Sequence, residues 1–133
     1  MNKYINQTGK FHGYSYIKVI NNAGFIARFT VTYMLNGKLK KYKSSEFPLF
    51  QSDKIYIPSD AMLIALKVEE EAFIGKWVMF YIASFIRPIN KCYSLSGTVI
   101  KPKATEVFCS GNYLDNCEIK KTKTKFTDYI YCD

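Results

Sequence analysis

The chain has 133 residues, 48% hydrophobic and 17% aromatic, which is enough to bury one core but not two and too apolar to stay disordered. Its 19 Lys+Arg against 11 Asp+Glu give a formal +8 at pH 7, so acidic lipid, nucleic acid or sulfated glycan are favoured encounter partners. A single domain over residues 1–133 is expected.

From the N-terminus, Met1 to Lys10 lacks the apolar run of a secretory signal, which predicts a cytoplasmic or non-classically secreted protein. Asn6-Gln7-Thr8 matches a glycosylation sequon by chance on that view, and His12, between Phe11 and Gly13, reads as a turn residue. Tyr14 to Ile20 alternates and is broken by Asn21-Asn22-Ala23-Gly24, predicting a strand and a turn.

The clearest local pattern follows. Phe25, Ala27, Phe29, Val31 and Tyr33 share one face of a strand, and Arg28, Thr30 and Thr32 the other. Asn36-Gly37 then supplies residues that tolerate positive φ, and the basic run Lys38 to Lys43 returns as the second arm of a hairpin. Lys54 to Ile57, stopped by Pro58-Ser59-Asp60, and Met62 to Glu70 continue the rhythm of short strands and turns. The economical fold is all-β, an antiparallel β-sandwich of immunoglobulin-like type, with a small barrel as the alternative.

Ala72 to Ile86 is almost wholly apolar, interrupted by Gly75, Lys76 and Ser84. It is too short to cross a membrane as a helix. It reads either as a buried element or as an exposed apolar loop at an interface. Tyr93 to Ile100 is a further strand, and Lys101-Pro102 ends it. The lysines of Glu118 to Lys125, ahead of Phe126, Tyr129 and Tyr131, suit an edge or terminal strand protected against aggregation.

Catalytic chemistry has little to work with. His12 is the only histidine and reads as a turn residue, so the sequence assembles no Ser-His-Asp or Cys-His arrangement. Glu69-Glu70-Glu71 puts neighbours on opposite faces and reads as a solvated strand end rather than an acid/base pair. No glycine pattern cradles a phosphate. Cys92, Cys109, Cys117 and Cys132 have no metal-type spacing and allow three pairings, with buried free thiols preferred for a chain without an export signal. No cofactor, metal or enzyme activity is expected.

Four segments in order carry a resemblance: Gly24 to Tyr33, Ile57-Pro58, Ile64 to Glu70, and Gly97-Thr98-Val99-Ile100-Lys101-Pro102. Together, over about Tyr14 to Pro102, the chain resembles the C-terminal membrane-recognition domain of the cholesterol-dependent, or thiol-activated, cytolysins. Residues 103–133 would add C-terminal strands. The resemblance implies a sandwich whose tip loops touch the bilayer, and it sets that family's tryptophan-rich loop on Glu70 to Phe80. The Cys and the terminal Arg of that loop are absent here, and Val99-Ile100 stands where the family has its Thr-Leu pair, so sterol specificity does not carry over.

The membrane-binding candidates are therefore Phe73, Ile74, Lys76, Trp77, Met79 and Phe80, with Val99 and Ile100. Apolar side chains would enter the bilayer and lysines would reach headgroups. The function expected is a non-catalytic, toxin-related module that binds membrane surfaces. Two alternatives stand beside it. One is a sandwich that binds a glycan or a protein receptor. The other is a basic β-barrel that binds nucleic acid through Lys38 to Lys43 and nearby tyrosines.

Overall fold

The computed structural model describes residues 13–109, 117–120 and 129–132. The strands in chain order are β1 (Tyr14–Asn21), β2 (Ala27–Leu35), β3 (Lys38–Lys43), β4 (Ser52–Pro58), β5 (Met62–Phe73), β6 (Lys76–Phe85), β7 (Lys91–Gly97), β8 (Pro102–Val107), β9 (Cys117–Lys120) and β10 (Tyr129–Cys132). They form two four-stranded sheets, ordered β4-β1-β7-β8 and β3-β2-β5-β6, and a two-stranded β9-β10 ladder. The fold is an all-β sandwich. All ladders are antiparallel except β1 with β7.

The β2 alternation is realised as read. Ala27, Phe29, Val31 and Tyr33 are buried, and they meet Ile64, Leu66 and Val68 of β5 on the same sheet face and Ile17, Val19, Ile57, Tyr93 and Leu95 of the other sheet. Phe29 and Phe47 meet edge to face at 6.1 Å, the arrangement that ring quadrupoles favour. The β2–β3 hairpin turns on Asn36 and Gly37, with φ of 54° and 78°, as a two-residue turn with positive φ requires.

Ala72 to Ile86 resolves into something between the two expected outcomes. Its centre is an edge strand, paired along β5 with register shifts. Phe80, Tyr81, Ala83 and Phe85 pack on the core, whereas Met79 and Ile82 remain exposed.

Two other expectations change. Glu70 is not a solvated strand end but is buried at 3% exposure, because the inward period of Ile64, Leu66 and Val68 continues through it. Cys92 and Cys109 are not free thiols but form a disulfide that joins β7 to the segment just after β8. Residues 1–12, including the sequon and His12, and 121–128, which include most of the lysine-rich tail, lie outside the described residues.

Candidate tip site

The topology gathers four connections at one end of the sandwich. β1 and β7 run parallel, with Asn21 beside Leu95, so the β1–β2 loop (22–26) and the β7–β8 loop (98–101) leave from the same end. β2 starts there, and its partner β5 finishes there, with Ala27 opposite Glu70, which places the β5–β6 turn at Ile74 and Gly75 beside them. The β3–β4 connection (44–51) arrives as well, because Lys43 lies opposite Thr30 and Ser52 opposite Ile20.

Backbone hydrogen bonds join these loops. Gly24 N donates to Gly97 O at 3.1 Å, Phe50 N to Asn21 O at 2.6 Å, and Glu71 N to Ile26 O at 2.9 Å. Beneath them sits Asn21, fully buried. Its Nδ2 donates to the carbonyls of Phe25 at 2.7 Å and Phe47 at 3.0 Å, and its Oδ1 accepts from Ala23 N at 2.8 Å. One side chain thus satisfies backbone groups of two loops in a place where unpaired polar groups are costly.

Asp53 braces the 44–51 connection from the side. Its carboxylate accepts from Ser45 N and Ser45 Oγ, both at 2.8 Å, and from Lys54 N at 2.7 Å. Partial burial works to raise its pKa, but these three donors outweigh it and hold the carboxyl below its ordinary range. In the last loop Gly97 has a φ of 92°, and a Cβ there would meet the Lys101 carbonyl oxygen, so only glycine lets this turn close.

On this frame the end projects apolar side chains. Phe50, Phe73, Ile74 and Ile100 are 79%, 74%, 96% and 89% exposed, and they come from three different loops. Lys76 and Lys101 are exposed beside them. The Glu71 carboxylate is turned back to accept from Gly75 N at 2.7 Å, so it caps its own hairpin.

Of the eight candidates read from sequence, Phe73, Ile74, Lys76 and Ile100 are thus brought to one end and exposed. Val99 packs against the core, as does Phe80, whose ring meets Phe25 edge to face at 5.5 Å. Met79 is exposed on β6. Trp77 is half-buried under the Arg28 guanidinium, which lies 4.0 Å from its ring centroid. Arg28 is itself held by Glu69, with Nε to Oε1 at 2.7 Å. Trp77 is therefore part of a strut on the outer face of the sheet rather than a probe at the apex.

Sequence reading missed Leu49 and Phe50. They lie in a connection with no strand period, and the only available hint was Pro48 followed by two large apolar residues with no polar break. Phe50 also has a φ of 74°, a left-handed backbone that a bulky residue adopts only when its surroundings impose it. The basic hairpin expected to meet nucleic acid is present as β3, but the Tyr42 ring is already stacked on Tyr33 at 5.8 Å.

Among the described residues no group of three or more His, Cys, Asp or Glu side chains is placed to hold a metal ion, and no helix is long and apolar enough to cross a membrane.

No family model and no curated protein sequence matches the chain. Solved structures do match, through the fold. Listeriolysin O aligns at 18% identity with a TM-score of 0.55, over 74% of this chain and 23% of its own. Suilysin from Streptococcus suis aligns at 14% and 0.54, over 74% and 24%. A disulfide-locked intermedilysin mutant solved with human CD59 aligns at 15% and 0.56, over 74% and 25%. The fold is that of a cytolysin domain, and the chain spans about a quarter of the length of the toxins it matches.

Proposed function

We propose that this chain, which shares its sandwich with about a quarter of the cytolysin chain, is a non-catalytic module that docks tip-first on membrane surfaces. The observation that supports this most is the convergence of Phe50, Phe73, Ile74 and Ile100, all largely exposed, on one end of a rigid frame. Water-exposed apolar side chains in such number at one end signal an interface rather than a solvated loop.

Magnitudes indicate which membrane. Burying four such side chains yields about 6–12 kcal/mol in gross terms, while immobilising a protein on a surface costs about 4–15 kcal/mol. The apolar term alone sits near balance. Lysines near an anionic bilayer add about 1 kcal/mol each, so Lys76 and Lys101 decide the outcome, and acidic headgroups are the preferred target.

A protein receptor is the second reading. It is favoured by the neighbour solved with human CD59, and it predicts no binding to protein-free vesicles. The test is flotation with neutral, anionic and sterol-containing liposomes. Binding to anionic vesicles that salt weakens supports the reading, and no binding to any protein-free vesicle overturns it in favour of a receptor.

A further inference from the structure

We propose that Cys117 and Cys132 form a second disulfide that closes the C-terminal hairpin, and that the chain is built for an oxidising compartment. β9 and β10 pair antiparallel, and Cys132 is the direct Cα partner of Cys117. Residues directly opposed in an antiparallel ladder have Cα atoms about 4.5 or 5.5 Å apart, and a disulfide needs roughly 4.4–6.8 Å. Either kind of pair falls within that Cα range.

The remaining cysteines remove the alternatives. Cys92 and Cys109 are joined to each other, with Cα atoms 5.2 Å apart, so of the four cysteines in the chain only Cys117 and Cys132 remain. The pair stands at the open end of the ladder, farthest along it from the 121–128 connection, so one bond there encloses the whole hairpin. Four cysteines used as two bonds fit a protein that works where thiols are not kept reduced. Of the two compartments expected from residues 1–10, it favours the non-classically secreted one over the cytoplasmic one.

The bond forms by exchange with an external disulfide such as glutathione disulfide. The two thiols give up two protons and two electrons to make one S–S bond, and the oxidant is reduced to two thiols. The inference stands apart from membrane docking.

The test is linkage mapping on the full chain refolded in a glutathione redox buffer. The protein is unfolded without reductant in iodoacetamide, then cut with trypsin and chymotrypsin, which separate Cys109 from Cys117 at Tyr113. The expected result is an unalkylated peptide pair joining Cys117 to Cys132 that separates on reduction. An alkylated Cys117 or Cys132 in the wild-type protein, or a link from either to Cys92, Cys109 or a second chain, overturns the proposal. In Cys132→Ser, Cys117 should become alkylatable or carry a single glutathione while Cys92–Cys109 stays intact. A Cys117 linked there to Cys92 or Cys109 also overturns it.

Discussion

Asn21 donates from its buried amide to the Phe47 carbonyl at 3.0 Å, tying the end of β1 to the connection that carries Phe50. The same amide reaches Phe25 O, and the side-chain oxygen takes Ala23 N. Asn21→Ala should therefore strand buried backbone groups and cost about 2–3 kcal/mol. Urea unfolding measures this directly, and hydrogen exchange should rise first at residues 22–26 and 44–51. A loss under half a kcal/mol, roughly, would mean that water takes over these bonds.

Phe50 separates binding from folding. Its side chain is 79% exposed, so removal costs little packing, while its backbone at φ 74° strains any residue with a Cβ by about 1–2 kcal/mol. Phe50→Gly should thus hold or raise Tm while weakening attachment to anionic vesicles by about tenfold, the loss expected for about 1.4 kcal/mol of inserted side chain. A variant that floats as well as the wild type would remove Phe50 from the docking surface.

Ile74 and Ile100 test whether the tip acts as a unit. They stand on different loops and are almost fully exposed, so Ile74→Asp and Ile100→Asp should leave the unfolding midpoint within error yet each sharply reduce flotation. Lys76→Glu with Lys101→Glu should abolish the preference for anionic over neutral vesicles, because the pair supplies about 2 kcal/mol of headgroup attraction. Retained anionic preference in that double variant would shift the electrostatic role to other lysines.

Much of this frame was legible because strand period and turn chemistry agree. Ala27, Phe29, Val31 and Tyr33 share the buried face of β2, although Thr30 between them is buried as well, and Asn36-Gly37 turns where it should. The segment from Ala72 was opaque for a specific reason. Val68 pairs with Tyr81 and Glu69 with Met79, so Phe80 is an extra residue in the ladder, and Phe80 and Tyr81, adjacent in sequence, both pack on the core. A bulge of this kind erases the period of two and leaves an unbroken apolar run. Asn21 read as a turn former, since its role as a buried hub depends on carbonyls as distant in sequence as that of Phe47. Phe50 escaped because a loop has no period to depart from.

Two carboxylates under the tip should pull stability in opposite directions with pH. Glu70 is buried, its Oε1 has no hydrogen-bond partner among the described residues, and burial raises its pKa. A raised folded value means that its contribution is fully present below the unfolded pKa of about 4.3 and is lost as pH rises through the folded value. Asp53 is the reverse. With its pKa held low by Ser45 and Lys54 despite partial burial, it contributes above its unfolded pKa and fails as pH falls through the folded one. Glu70→Gln should therefore unfold at higher urea than the wild type at neutral pH and lose that advantage near about pH 4. Asp53→Asn should be weaker at neutral pH and approach the wild type in acid. If Glu70→Gln shows the same difference at both pH values, packing rather than ionisation governs this position.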